Sequence, residues 1–303
     1  MRSCLKSNYG IELIGLIKIS EKVYKVKTNN QFFALKYVDE KMAVNVKHIK
    51  SLHLQCFVTV IKNNQERYLT KLGNQFFILM PWLEYDEGII KELKLKNYYQ
   101  LIAYLHQNSF YECKVTNHFF EKQINDIQQS LQQSSNYYEE IMESFEQILI
   151  KSPSNWFFIM HFHQIQKILQ KAYEYFENYQ KSIQQLDRIR VCLNYHNFSY
   201  QHIYMIDQVL ISIDHLEINY CIYDIYTLYQ KNPELICEMD LFGKDYMQQI
   251  QLLDYEKYLL ATLLCIVPIV NLSYYENDNI IHLTRLLYQL ESIEQFLSYL
   301  AID

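Results

Sequence analysis

Residues 191–224, VCLNYHNFSYQHIYMIDQVLISIDHLEINYCIYD, constrain this chain more than any other stretch. A short apolar run at 191–194 opens into a polar loop at 195–202. A second apolar run, 203–206, is parted from a third, 209–213, by Asp207 and Gln208 alone, and the third ends in Asp214. Apolar runs of this length around a two-residue polar pair read as strand, loop and hairpin. Such a frame fixes the polar side chains of the loop and the exit acid relative to one another.

The amino-terminal region adds more strands. Residues 11–19, 23–28 and 31–38 are apolar-rich runs, and Asn29-Asn30 makes a hairpin turn between the last two. The third reads Phe32-Phe33-Ala34-Leu35-Lys36, an apolar-Ala-apolar-Lys pattern like the kinase strand whose lysine meets ATP phosphates. Alone, a strand-end lysine is an ordinary solvated cation. Lys36 gains weight from following a hairpin and preceding Asn197 by roughly 160 residues. Residues 56–62 and 66–71 also read as strands, and 74–83 as another, containing Phe76-Phe77-Ile78-Leu79-Met80-Pro81-Trp82.

Together these segments resemble the aminoglycoside phosphotransferase and choline kinase-like superfamily, and within it the CotS and YutH type of kinase-like spore coat proteins. Members read His-Gly-Asp or His-His-Asp, four residues, then Asn-Ile-Leu. Here Tyr195-His196-Asn197 and His202-Ile203-Tyr204 take those places, with Phe198 in a supporting position. The run into Trp82 is similar to the strand that enters the hinge of the spore coat group. Ala103-Tyr104-Leu105-His106 with Ser109-Phe110 is similar to its Leu-His-x-x-Ser helix end.

The resemblance implies an α+β, two-lobed protein kinase-like fold: a small β-rich lobe at 1–83 and a large, mostly helical lobe at 84–303. It puts Asn197 at the position of the general base, His202 at a metal-binding asparagine and Asp214 at the metal-binding acid. Lys36 falls on the phosphate lysine, and Asp224, in Tyr223-Asp224-Ile225, on a structural acid. Glu217 lies near a second acid of relatives, out of register. If the nucleotide site works, the implied cofactors are ATP and magnesium.

Four catalytic parts are altered. Asn197 is an amide, which cannot take a hydroxyl proton as a carboxylate does, a contribution of about 10²–10⁴-fold. A histidine at 202 suits zinc better than oxygen-loving magnesium. The turn at 18–22, Lys-Ile-Ser-Glu-Lys, lacks the glycines that let backbone approach phosphate. The helix at 40–55, with its stripe Met42, Val46, Ile49 and His53, has no acid beyond Glu40 to pair with Lys36, and Asn45 or His48 stands nearer that position.

Composition is that of a globular chain: 303 residues, half apolar and a fifth charged. Five glycines and four prolines leave few special turns and predict long helices. With a net charge of −6 and scattered basic residues, no nucleic-acid partner is indicated. Seven dispersed cysteines read as free thiols of a reducing compartment. The first residues lack an export core, and the apolar stretch 258–272 is too short to span a membrane and reads as a helix broken before Pro268.

Residues 119–149 carry helical apolar spacing interrupted at Ser134-Ser135-Asn136, which predicts two helices or a kink. Ser152-Pro153-Ser154 reads as a cap and boundary, 163–190 as one long helix feeding the strand at 191, and 280–300 as a final core helix. His161 and His163 are spaced to bind a metal from a strand, without an evident third ligand.

The function implied is that of a catalytically degenerate, pseudokinase-like spore coat or sporulation component. It would bind other coat proteins and reside in the bacterial mother-cell cytoplasm or the coat. The alternatives are an atypical ATP-dependent phosphotransferase for a hydroxyl or amine acceptor, and a nucleotide-binding switch without transfer.

Overall fold

Alternation along Phe32–Val38 accounts for the first group of elements. In the computed structural model, which describes residues 1–84 and 88–300, the chain begins α1 (Arg2–Tyr9), β1 (Gly15–Lys18), β2 (Val23–Lys27), β3 (Phe32–Val38), α2 (Met42–Ser51), β4 (Thr70–Leu72), β5 (Gln75–Pro81) and α3 (Lys91–Gln107). The strands form one antiparallel sheet in the order β1-β2-β3-β5-β4. Phe33 and Leu35 join Val26, Phe77 and Leu79 in a buried apolar cluster. Successive strand residues face opposite ways, so Ala34 and Lys36 take the other face of the sheet.

Helix α1 has no counterpart among the expected elements. Eight residues cannot hold a helix alone in water. Leu5, fully buried against the cluster, supplies about 2 kcal/mol by leaving water. Gly10, at φ 68, ends the helix in a left-handed cap and donates its N–H to the Lys6 carbonyl at 3.0 Å.

Two expected strands are corrected. Residues 56–62 form no regular strand, because their backbone divides its partners. Val58 and Cys56 bond Leu210, at 3.2 and 2.8 Å, while Ile61 bonds Leu79 at 2.8 Å. Of 66–71 only the last part is strand, in β4.

The chain continues through β6 (Tyr111–Lys114), α4 (Asn117–Gln147), α5 (Pro153–Ile183), β7 (Arg188–Asn194), β8 (Ile203–Tyr204), β9 (Val209–Leu210), β10 (Glu217–Asn219), α6 (Ile222–Lys231), α7 (Met239–Gln249), α8 (Asp254–Cys265) and α9 (Glu276–Leu297). Contacts group it into two compact units, Met1–Ser109 with Leu193–Ile218, and Phe110–Cys192 with Asn219–Asp303. This cut differs from a lobe boundary at residue 83: helix α3 and the loop-hairpin segment group with the sheet. The buried Lys94 of α3 reaches the carbonyls of Tyr200 and Ile203, each at 3.5 Å, and Asn97 bonds Gln208 at 2.9 Å.

In the second unit β6 pairs antiparallel with β7, from Tyr111 opposite Val191 to Lys114 opposite Arg188. Helix α4 is unbroken where the serines suggested a kink. Ser134 is buried and sends its hydroxyl to the Val267 carbonyl at 2.7 Å, so it stabilises a neighbour's loop and leaves its own helix intact. Ser152 caps α5, accepting the Asn155 N–H at 3.3 Å, with Pro153 at the first helical position. The helix stops at Ile183, short of the expected 190, and β7 begins at Arg188. His161 and His163 lie within α5, where side chains two apart do not share a face. Helix α8 ends at Cys265, before Pro268. No helix among the described residues is long and apolar enough to cross a membrane.

Candidate functional site

The residues singled out in the sequence meet around one backbone position, Ser212. Lys36, with only 11% of its side chain exposed, donates to the Ser212 hydroxyl at 3.0 Å and forms an ion pair with Asp214. Asn197 turns its amide N–H onto the same hydroxyl at 3.1 Å and onto the Ser212 carbonyl at 3.3 Å. The Nδ1 of His202 bonds the Asn197 carbonyl at 2.9 Å. All of these residues belong to the first unit.

Each is held by a local device. Strand register places Lys36 opposite Val23 and Ile78. The hairpin is shorter than expected, two residues a side in β8 and β9, and Asp214 sits in a single 3₁₀ turn at Ile213–His215. The fully buried Tyr195 sends its hydroxyl to the Ile211 carbonyl, fixing the start of the loop to the exit of the hairpin. Ser109, at the end of α3, accepts the Leu193 N–H at 3.0 Å. Asn45 of α2 donates to the Ile213 carbonyl at 3.0 Å. Asn45, one of the two residues expected nearest the lysine's missing acid, thus holds the backbone beside Asp214.

Strain concentrates here. His196, Gln208 and Ser212 have φ of 54, 54 and 65, in the left-handed region that side chains disfavour by roughly 1–2 kcal/mol each. Ser212 is the member that sequence reasoning missed, since nothing in the letters Ile-Ser-Ile-Asp announces a left-handed serine. His196 places its Nε2 3.9 Å from Glu217, the acid that was out of register. Burial lowers the pKa of His202; the Asn197 carbonyl opposes this and the nearby Lys36 charge adds to it. At neutral pH that imidazole is uncharged. Asp224 is fully buried in the first turn of α6, within the second unit.

The donor set meets a magnesium nucleotide at two points. Lys36 is the kind of cation that phosphate takes, and Asp214 the kind of carboxylate that magnesium takes beside phosphate oxygens. The other positions do not fit. His202 offers nitrogen to an ion that wants oxygen, and Asn197 spends its N–H groups on Ser212 and has no basic oxygen for a hydroxyl proton. Among the described residues no three His, Cys, Asp or Glu side chains converge as a metal cage. Lys36 and Asp214 satisfy each other, so a nucleotide must part them.

No family model matches the sequence, and no curated protein matches it. Among solved structures, the aminoglycoside phosphotransferase from Alicyclobacillus acidocaldarius is similar with a TM-score of 0.64, over 99% of this chain and 95% of its own, at 9% identity. A microcompartment-associated aminopropanol kinase gives 0.49 at 11% identity, covering 100% and 98%. Spectinomycin phosphotransferase, solved with ADP and spectinomycin, gives 0.48 at 15% identity, covering 98% and 92%. The first of these shows the fold: the chain has the α+β, kinase-like architecture of an aminoglycoside phosphotransferase, as the motifs implied.

Proposed function

We propose that this kinase-fold chain no longer transfers phosphate and works by binding, as a structural or interaction component of the bacterial spore coat. The observation that carries the reading is the closed pair of Lys36 and Asp214, with Asn197 donating to the neighbouring Ser212 hydroxyl where a base should accept. The phosphate-binding and metal-binding charges neutralise each other, and the base position is an amide. The spore setting, and other coat proteins as partners, rest on the resemblance at 76–82 and 195–204 to the CotS and YutH type.

Thermal unfolding with ATP and magnesium, manganese or no metal tests it. A ligand at a hundred times its dissociation constant adds about 2.7 kcal/mol, which moves the midpoint by a few degrees. The expected result is no metal-dependent shift. A shift in the wild type that both Lys36→Ala and Asp214→Ala lose overturns the proposal. A tagged chain that stays out of the developing spore removes the spore setting alone.

A second reading, an atypical phosphotransferase, is favoured by one observation: Lys36 and Asp214 are both retained and adjacent, in a fold similar to that of an aminoglycoside phosphotransferase. In it Asp214 holds magnesium, and Glu217 or water replaces the base. ADP release that Asp214→Ala abolishes would select it.

A further inference from the structure

The second unit contains a cavity of about 730 Å³ that none of the residues discussed so far explains. Its volume falls within the roughly 300–1,000 Å³ of small-molecule sites. The floor is aliphatic, including Leu264, Val267 and Ile293, and Phe119, Tyr223 and Tyr226 bring aromatic rings to the wall. This apolar ground carries one oriented polar pair. Tyr179 donates its hydroxyl to Gln123 Oε1, which sets the amide so that its Nε2 donates to the Tyr223 hydroxyl at 3.2 Å. Tyr223 thus accepts from within the protein and keeps its own proton to give. Asp126 follows Gln123 by three residues on α4, the spacing that puts two side chains on one face, so its carboxylate shares the face of the amide that holds Tyr223. Asp126 also lines the cavity, on the exposed face of α4.

A donor beside an acceptor, over an apolar floor, selects a particular functional group. An alcohol both gives and takes a hydrogen bond, so it satisfies Asp126 and Tyr223 together. An ether satisfies only Tyr223, and an ammonium only Asp126. We infer that this cavity is a binding site for an amphipathic small molecule carrying a hydroxyl group, with its apolar body on the floor and its hydroxyl between Asp126 and Tyr223. The site lies wholly within the second unit and uses none of Lys36, Asn197 or Asp214, so it stands or falls apart from the function proposed above.

Calorimetric titration of the full chain with three matched probes decides it: 2-naphthalenemethanol, its methyl ether, and naphthalen-2-ylmethylamine. The alcohol is expected to bind about five- to tenfold more tightly than the ether, the size of one satisfied hydrogen bond. Asp126→Ala removes that preference and leaves ether binding unchanged, whereas Tyr223→Phe weakens alcohol and ether alike and keeps it. Ser130→Trp, at an exposed rim position one turn along α4, blocks all three probes. Unfolding midpoints check that each variant folds, and the wild-type ranking decides alone for any that does not. Equal affinity for alcohol and ether, tighter binding of the amine, or no binding of any probe overturns the inference.

Discussion

Two partly buried ion pairs, one in each unit, use similar charges to different ends. In the second unit Arg190 grips the fully buried Glu256 with two N–H groups, one of them at 3.1 Å. The same guanidinium reaches the Gln251 carbonyl at 2.9 Å and lies 4.3 Å over the ring of Phe110. Glu256 also accepts the Leu253 N–H at 2.9 Å, closing the first turn of α8. Both carboxylate oxygens and three of the five guanidinium N–H groups are used, and the planar fork holds the geometry. In the first unit Lys36 meets Asp214 through one oxygen, Asp214 is 32% exposed, and a strained Ser212 stands between the lysine and Asn197. An architectural pair saturates its surroundings. The Lys36–Asp214 pair keeps spare valence and strain, and costs less to open.

The largest effect expected from this contrast is at Glu256. Glu256→Ala leaves the Arg190 charge without its partner and the α8 turn uncapped, a loss of about 3–5 kcal/mol in urea unfolding. Ser212 comes next. Ser212→Ala removes an acceptor shared by two donors and keeps the left-handed backbone, costing about 1–2 kcal/mol. Ser212→Gly loses the same bonds but relieves the backbone, and should recover about 1 kcal/mol of that loss. A glycine variant no more stable than the alanine variant would show that Ser212 stores no strain. Asp214→Asn is expected to cost under about 1 kcal/mol, since its carboxylate is 32% exposed and meets Lys36 through one oxygen, and an asparagine oxygen can still accept from the lysine. If it cost as much as Glu256→Ala, the distinction between the two pairs would collapse.

Where sequence reading succeeded, a short-range rule was at work. Strand β3 was legible because Phe33 and Leu35 alternate with Ala34 and Lys36, and an Asn-Asn turn precedes it. The cap at Ser152-Pro153 was legible because both residues act within one turn. The failures involve choices made by distant partners. Residues 56–62 have strand composition, but only the positions of Leu79 and Leu210 reveal that their hydrogen bonds are divided. The serines of α4 looked like a break because the Val267 carbonyl that takes up Ser134 lies far along the chain. Helix α1 carries one decisive residue, Leu5, too few for a periodic signal. The left-handed backbone at Ser212 has no signature in a serine, so the centre of the candidate site was invisible although Lys36, Asn197, His202 and Asp214 around it were all named.

The smallest effect is the most specific to the site. Burial makes His202 a weaker base in the folded chain than the ordinary value of 6.5 it has when unfolded, and Lys36 adds to the shift. Above that value neither state holds the proton, and the residue leaves stability unaffected by pH. As the pH falls through 6.5 the unfolded chain takes up the proton first, so stability drops until the folded imidazole is also charged. His202→Asn, whose amide does not titrate, removes this loss. The wild type should therefore weaken relative to the variant between about pH 7 and pH 5, read as the difference between their urea midpoints. A difference that stays flat would mean that His202 is not held neutral beside Lys36. Phosphate bound at Lys36 would favour the charged imidazole and shrink the difference, so repeating the comparison with ATP asks whether the pair has opened.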